Sequence, residues 1–435
     1  MKHISAWFAL VLLLLTACGG TQPAGVDAVP ALPESLQPLT GAVPRYLSFQ
    51  IFEGGSDPAI PFDYVMIYTP KAKISAVVHD IVATIGVTGG QRAKLAFNLG
   101  PISFDHTDAE ARRIIDDGFA IALAENVAVG FHIDDAMFWS NRTDLMGDPA
   151  NVEWTDFSGT LSTGLKLDWA HAPARMCFNA PRIQAEVTRR ARDVIGAEIV
   201  SQLAILKAQG KENLFAGVIA GWESHMGQDV VTMDRVGFHA LTNRGFGPGH
   251  PPSDVGAEVA SIVAEFIGRW TSGLAQAGID PTRIYTHVNF LTKAQFAKFV
   301  AAGTVPPSVT YEMLVNSLPS TQQPSVAFVA NSRPGFSAYP TLGTLDQIQA
   351  ERSLHGKPGW ASSEGTNVIH DGPNSTSSSN MTMETYLAGR FNHGATLVNV
   401  FGWGIGGPSM KDTNPYRIVT DGPEALAAYR KFLSQ

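Results

Sequence analysis

Short apolar runs alternate with amphipathic stretches along the chain from about residue 45 to its end. The runs are rich in β-branched and aromatic residues and end in polar ones, whereas the stretches between them repeat apolar residues at helical spacing. This pattern predicts eight strands, at 46–52, 93–98, 127–133, 215–221, 283–289, 326–330, 359–363 and 396–401. It also predicts eight helices, at 73–85, 108–124, 181–209, 255–277, 293–302, 345–355, 383–393 and 423–433.

The strict alternation of strand and helix indicates a parallel sheet. Parallel strands need crossover connections, and strands that are covered on both faces read as continuous apolar runs. Eight strand–helix units are the number that closes a (β/α)8 TIM barrel. An open doubly wound sheet is the alternative, but no glycine-rich phosphate-binding loop follows the first strand. We therefore predict an α/β fold of the (β/α)8 class over residues 45–435, with long loops at 139–180 and 225–254 after strands three and four.

The N-terminal segment 1–17 predicts export. Its apolar run follows an early lysine and is shorter than the roughly 20 residues that span a membrane, which is typical of a cleaved signal. The letters Leu-Thr-Ala-Cys at 15–18 resemble the lipobox of bacterial lipoproteins. This resemblance implies a lipid on Cys18 and a place in the bacterial cell envelope, with the outer membrane favoured because Gly19 and Gly20, directly after Cys18, carry no acidic retention signal. The Gly-, Pro- and Thr-rich stretch 18–44 predicts a flexible tether.

Charge and cysteine content exclude several classes of partner and site. The formal net charge of −8 argues against a nucleic-acid partner, because no basic surface balances it. The chain has two cysteines, and lipidation of Cys18 leaves Cys177 without a partner in the chain. An internal disulfide and a cysteine-based metal cluster are therefore excluded, and Cys177 is predicted to be a buried small apolar residue.

Two of the predicted strands deliver a glutamate at their C-terminal ends, where barrel enzymes build their sites. Trp222 and Glu223 follow strand four, and Glu364 follows strand seven. This placement resembles the large clan of retaining (β/α)8 glycoside hydrolases. The resemblance implies that Glu223 is the general acid/base, that Glu364 is the nucleophile, that the substrate is an oligo- or polysaccharide, and that no cofactor is needed. That clan commonly has Asn before the acid/base, whereas this chain has Trp222.

The chemistry of an acetal explains why two carboxyl groups are needed. The leaving oxygen must be protonated while the developing oxocarbenium ion is trapped from the other face, so the two groups must differ in protonation. An apolar flank such as Trp222 helps to raise the pKa of the adjacent Glu223. The other strand ends supply residues that can hydrogen-bond a sugar, with Trp403 expected to stack below it. The predicted substrate-binding residues are Gln50, Asn98, His132, Asp134, Asp135, Trp222, His287, Asn289 and Trp403.

Two other functions remain open from the sequence. His132, Asp134 and His287 could hold a divalent ion that activates water, although no metal-binding spacing such as His-x-His is present. Asp134 and Asp135 can instead cap a loop or form ion pairs. The other alternative is a lipid-anchored protein that binds a glycan without cleaving it, for which two carboxyl groups at catalytic separation are not required.

Overall fold

The structure is a computed structural model. It describes residues 35–39, 43–53, 66–134, 136–163, 165–166, 171–172, 174–224, 226, 236–303, 305, 308–315, 322–340, 343–366, 381–401, 403 and 423–435. The predicted signal, Cys18 and Asp135 lie outside these residues. Among the described helices, none has the length and apolar character that crossing a membrane requires.

Eight parallel strands form the central sheet. They are β1 (Arg45–Phe52), β2 (Ala93–Ile102), β3 (Ala128–Ile133), β4 (Phe215–Ala220), β5 (Ile284–Thr286), β6 (Gly335–Ser337), β7 (Trp360–Glu364) and β8 (Ala395–Val400). Their order in the sheet is β5-β4-β3-β2-β1-β8-β7-β6. A two-stranded antiparallel ribbon lies in the loop after β3, at Leu165–Lys166 and His171–Ala172.

The two edges of the sheet, β5 and β6, meet through backbone hydrogen bonds. Thr286 N–H donates to the carbonyl of Arg333 at 3.2 Å, and Val288 N–H donates to that of Gly335 at 3.0 Å. Gly335 permits this approach, because a Cβ there would clash with the Thr286 carbonyl and the Ser363 hydroxyl. The sheet is therefore a nearly closed barrel, which confirms the predicted (β/α)8 class.

The helices that cover the barrel also match the predicted pattern. They are α1 (Lys71–Ile85), α2 (Asp108–Glu125), α3 (Pro181–Arg189 and Ala197–Ala208, joined by the π-helix Arg190–Gly196), α4 (Val255–Ala277), α5 (Lys293–Ala301), α6 (Thr344–Leu354), α7 (Met383–Phe391) and α8 (Pro423–Leu433). Short α-helices lie at Thr143–Met146, Phe238–Asn243 and Tyr311–Val315, and 3-10 turns at Pro149–Asn151, Glu212–Leu214, Pro281–Arg283 and Pro324–Ala327. Local signals set several ends: the Thr107–Glu110 capping box begins α2, and Gly278 in the left-handed conformation ends α4.

One predicted strand is wrong. The apolar run 326–330 was predicted as strand six, but the 3-10 helix Pro324–Ala327 occupies its start, and β6 is Gly335–Ser337. Val326 and Ala327 are buried in the main core, so the run is apolar because it packs against the barrel and not because it belongs to the sheet. Proline as the first helical residue suits this 3-10 turn.

The interior of the barrel is apolar at one end and polar at the other. A small cluster of inward-facing apolar side chains, including Tyr46, Ala128, Tyr285 and Leu397, lies towards the N-terminal ends of the strands. Because side chains alternate along a strand, β1 places Gln50 four residues after Tyr46 on the same face, and β3 places His132 four residues after Ala128. Polar side chains therefore collect at the C-terminal ends of the strands.

Part of the predicted tether packs against the barrel. Leu36 and Leu39 belong to the main hydrophobic core, and Gln37 N–H donates to Asn392 Oδ1 at 3.0 Å. Leu36 and Leu39 therefore pack on the barrel within the stretch 18–44 that was predicted as a tether. Cys177 is fully buried, as predicted.

Candidate active site

Glu223 and Glu364 come together inside the C-terminal end of the barrel. Glu223 follows β4 and is 7% exposed, and Glu364 ends β7 and is 8% exposed. A carboxylate oxygen from each and a ring nitrogen of His287 lie within 4.8 Å of one another. His287 Nε2 is 4.0 Å from Glu223 Oε1 and 3.9 Å from Glu364 Oε2. Two residues that are far apart in the chain thus face one another across the end of β5.

The backbone at Glu223 has an uncommon conformation. Its φ is 56°, in the left-handed region, which costs a residue with a side chain about 1 to 2 kcal/mol. The chain reaches it through Gly221, whose φ of 95° suits only glycine. Strain of this kind persists where the surrounding structure enforces it, and it occurs frequently at functional sites.

The two carboxyl groups have different hydrogen-bond partners. Ser337 Oγ, on β6, is 2.9 Å from Glu223 Oε1 and 2.8 Å from His287 Nε2. Tyr339, two residues beyond β6, donates its hydroxyl to Glu364 Oε1 at 2.8 Å. One carboxyl is therefore bonded to a serine that also contacts a histidine, and the other to a phenol.

A buried polar network lies beneath the carboxyl groups. His132 Nε2 is 3.0 Å from His287 Nδ1, and His132 Nδ1 is 3.1 Å from Gln50 Oε1. The same amide oxygen of Gln50 accepts from Asn98 Nδ2 at 3.0 Å and Asn399 Nδ2 at 2.9 Å. Trp222 covers the network, since its ring stacks on His132 with centroids 4.1 Å apart and planes 11° apart.

Burial determines the protonation of these groups. It raises the pKa of Glu364 to about 7, against which the Tyr339 hydrogen bond acts weakly. It lowers the pKa of His287 to about 3, and it places the pKa of His132 well below its usual value, with His287 nearby adding to the effect. Both imidazoles are therefore neutral near pH 7. In the buried pair of Glu223 and Glu364, by contrast, a carboxyl group tends to keep its proton.

The predicted metal ligands are not assembled. Among the described side chains, the one group of three candidate ligands within 4.8 Å is Glu223, His287 and Glu364, without His132 or Asp134. Both ring nitrogens of His287 already contact His132 and Ser337, so an ion would have to displace one of these contacts. Asp134 Oδ1 instead accepts the backbone N–H groups of the next turn, at 136–138. Among the described residues, a metal site would therefore consist of Glu223, Glu364 and a His287 released from one of these contacts.

The other predicted binding residues divide into two groups. Gln50, Asn98, His132, Trp222 and His287 lie around or beneath the carboxyl pair, as the distances above show. Asn289 stands further along the chain after β5, where its backbone N–H donates to Gln322 Oε1 at 3.1 Å.

The stacking role expected for Trp403 requires correction. Its indole N–H donates to Asp80 on α1 at 2.8 Å, and its ring meets Phe49 edge-on with centroids 5.1 Å apart. Phe49 belongs to the core cluster between the sheet and the helices. Trp403 is therefore directed to the outside of the barrel wall, towards α1.

Sequence reasoning missed three polar residues of the site, namely Ser337, Tyr339 and Asn399. The first two were missed because strand six was misplaced. The signal was present in the segment Gly-Phe-Ser-Ala-Tyr at 335–339, which follows a proline and mixes aromatic with small residues. Asn399 is the one amide side chain in the mostly apolar β8, where a buried amide implies a bonded partner.

Comparisons with known proteins support the fold. No family model and no curated protein sequence matches the chain. Among solved structures, the catalytic domain of a β-amylase from Paenibacillus polymyxa is similar, with 7% identity, a TM-score of 0.50, and coverage of 90% of this chain and 98% of that chain. A GH5-4 broad specificity endoglucanase from an uncultured bacterium has 10% identity and a TM-score of 0.42, covering 89% and 92%. A GH42 β-galactosidase from G. stearothermophilus has 10% identity and a TM-score of 0.44, covering 90% and 57%.

Proposed function

We propose that this protein is a glycoside hydrolase that cleaves oligo- or polysaccharides by a retaining mechanism, with Glu223 as general acid/base and Glu364 as nucleophile. The observation that carries the proposal is the separation of their carboxylate oxygens, which is at most 4.8 Å. Retaining enzymes hold the two carboxyl groups about 5 to 5.5 Å apart, whereas inverting enzymes leave roughly 6.5 to 9.5 Å for a water molecule. The short separation favours direct attack by a carboxylate.

In the first step, Glu364 attacks the anomeric carbon while Glu223 donates its proton to the leaving glycosidic oxygen. The bond to the leaving group breaks as the ester bond to Glu364 forms. In the second step, Glu223, now a carboxylate, removes a proton from water, which displaces Glu364 and restores both groups. The hydrogen bond from Tyr339 holds the attacking carboxylate in place.

The first step requires that one of the two carboxyl groups, Glu223 and Glu364, is protonated and the other ionised. Their surroundings favour this state. Two ionised carboxylates this close in a buried site repel each other, so one of them retains a proton at a pH where free carboxyl groups are ionised. The raised pKa of Glu364 reflects the desolvation that disfavours a second charge in this pocket.

The envelope location forms part of the proposal. A lipid on Cys18 would anchor the enzyme to a bacterial membrane, and we favour the outer membrane. The chain from Cys18 to the docked segment at residue 35 would then be the tether. The docked Leu39 is bonded to Gln435 and to Arg92, which precedes β2. Such an anchor would join the barrel near the N-terminal ends of its strands, which lie opposite the carboxyl pair.

The test is a screen of the purified mature protein against aryl glycosides and polysaccharides, followed by variants. Glu364→Ala should abolish turnover of every substrate. Glu223→Ala should retain activity only on substrates whose leaving group needs little protonation, such as dinitrophenyl glycosides. Glu351→Ala, which removes a carboxyl group on α6, is the matched control and should behave as wild type. NMR of the first product should show retained anomeric configuration.

Full activity in both Glu223→Ala and Glu364→Ala would refute the proposal. Glycan binding without turnover, unaffected by either variant, would favour a binding protein. An inverted first product would refute the retaining mechanism alone, since it would require a water molecule between the carboxyl groups.

A further inference from the structure

The orientation of the Gln50 side chain is determined by its neighbours. Its Nε2 lies 3.2 Å from the carbonyl oxygen of Asn98 and 3.3 Å from those of Ile51 and Gly100. Carbonyl oxygens only accept, so the amide nitrogen must face them and the amide oxygen must face the other way. Gln50 Oε1 is therefore an obligate acceptor towards His132.

This orientation sets the tautomers of two histidines. Because Gln50 Oε1 accepts, His132 Nδ1 must carry the hydrogen, and in a neutral ring Nε2 is then an acceptor. His287 Nδ1, 3.0 Å away, must donate to that nitrogen. His287 Nε2 is consequently the acceptor that faces Ser337.

Ser337 has one hydroxyl hydrogen and two neighbours that compete for it. It lies 2.8 Å from His287 Nε2 and 2.9 Å from Glu223 Oε1. If the hydrogen points to His287, the serine oxygen can only accept from Glu223. An accepting serine at this distance requires a hydrogen on the Glu223 carboxyl.

We propose that the hydrogen-bond chain from Gln50 through His132, His287 and Ser337 holds Glu223 in its protonated form, ready to act as the general acid. Ser337, His287, His132 and Gln50 are then positioning residues that act through one another on the catalytic proton. This inference rests on the proposed function, because it gives Glu223 the acid role. It also gives the two adjacent carboxyl groups different partners, since Ser337 accepts from Glu223, whereas Tyr339 donates to Glu364 and acts against the burial that raises the pKa of Glu364.

Two other arrangements are consistent with the same contacts, and in both Ser337 donates to an ionised Glu223 while one histidine is an imidazolium. In the first, His287 donates through Nδ1 to His132 and through Nε2 to Ser337. In the second, His132 is the imidazolium, and its Nε2–H points to His287 and to the Gly221 carbonyl, 3.2 Å away. Both rings are buried and 3.0 Å apart, and burial of a charged imidazolium holds the pKa of both histidines well below the usual value. We therefore assign the proton to Glu223.

The first test reads the tautomers directly. In protein labelled with 15N-histidine, the imidazole nitrogens of His132 and His287 should both show a protonated Nδ1 and an unprotonated Nε2 at pH 6 to 7. Ser337→Ala should perturb the Nε2 signal of His287 most strongly, which assigns it. A His287 with hydrogen on Nε2, or an imidazolium at His132, would overturn the proposal.

The second test is kinetic and compares Ser337→Ala with Ser362→Ala. Ser362 is a buried serine on β7 whose hydroxyl contacts Tyr386, outside the chain of hydrogen bonds. Removing Ser337 takes away the acceptor that stabilises protonated Glu223, so the basic limb of the pH profile of kcat/KM should move down by about one unit, a tenfold change. Among the described residues, the titratable groups that face Glu223 include Glu364 on β7 and His287 after β5, with His132 and Tyr339 beyond them.

A positioning role also predicts a dependence on the leaving group. Ser337→Ala should lower kcat/KM more for alkyl glycosides than for dinitrophenyl glycosides, because only the former depend on the acid. Ser362→Ala should show neither change. An unchanged basic limb together with equal losses on both substrates would refute the proposal and leave Ser337 a structural role only.

The proposed function and the hydrogen-bond chain can be refuted separately. The tautomer measurement needs no substrate, so the expected tautomers in a protein without glycosidase activity would refute the proposed function and leave the hydrogen-bond chain intact. Retained glycosidase chemistry with hydrogen on His287 Nε2 would refute the chain alone. If the Ser337→Ala variant does not fold, the tautomers of His132 and His287 in the wild-type protein still test the proposal.

Discussion

Replacing Glu364 with glutamine should stabilise the folded protein at high pH while removing activity. The carboxyl group of Glu364 is buried, and burial raises its pKa from 4.5 to about 7. A carboxyl group with a raised pKa in the folded state holds its proton more tightly there than in the unfolded chain. The contribution of Glu364 to folding stability is therefore largest below pH 4.5, is lost as the pH rises towards 7, and stays absent above that value.

The size of the effect follows from the same shift. The rise in the pKa of Glu364 from 4.5 to about 7 corresponds to roughly 3 kcal/mol. The ionised carboxyl group lowers the free energy of unfolding by this amount at pH 8. Glutamine has nearly the same shape, keeps an oxygen that accepts from Tyr339, and carries no charge. For a domain of this size, about 3 kcal/mol amounts to roughly 4 °C in Tm.

The assay is thermal unfolding of wild type and Glu364→Gln at pH 4.5 and pH 8. We expect similar Tm values at pH 4.5 and a higher Tm for the variant at pH 8. Glu351→Gln, at a partly exposed position of α6, is the control for loss of a carboxylate on the surface. A Glu364→Gln variant that is no more stable than wild type at pH 8 would show that this carboxylate is not destabilising, and the account of a poised carboxyl pair would be refuted.

Three further outcomes are expected. Gly335→Val should lower the free energy of unfolding by 3 kcal/mol or more, because any Cβ there meets the Thr286 carbonyl at the closure of the barrel; denaturant titration measures this, and a loss below about 1 kcal/mol would contradict it. Cys18→Ser should release the protein from membranes, as fractionation and mass spectrometry would show, and persistent membrane association without a lipid would contradict lipidation. Limited proteolysis should trim the N-terminus only to about residue 35, since Leu36 and Leu39 are docked; N-terminal sequencing that finds a new end near residue 45 would contradict that docking.

The sequence by itself determined the order of the barrel elements. Hydrophobic periodicity and capping signals come from residues that are close in the chain. They therefore locate helices and strands whose burial follows from their own residues. The helix predicted at 255–277 has the same first and last residues as α4. The glutamates predicted at the ends of strands four and seven lie at the ends of β4 and β7. A carboxyl group that interrupts an apolar run is visible without the fold, and so is its place at the C-terminal end of a barrel strand.

The tertiary structure alone decided where the sixth strand lies. The run 326–330 is apolar enough for a strand, yet it packs on the core beside a 3-10 turn, whereas β6 has three residues and gains its stability from β5 and β7. A strand this short is specified by its pairing with β7 and by the close approach of the Thr286 carbonyl to Gly335. Neither feature produces a periodic pattern of apolar residues in the sequence. Ser337 and Tyr339 were missed for that reason.

The hydrogen-bond pattern of the site also came only from the tertiary structure. Gln50, His132, His287 and Ser337 come from four separate parts of the chain, and residue type alone does not say which atom donates to which. That direction follows from the three carbonyl oxygens around the Gln50 amide, which exist as a group only when β1 and β2 are paired. Donor and acceptor roles depend on three-dimensional neighbours, so the protonation of Glu223 is a property of the folded barrel and not of any segment of its sequence.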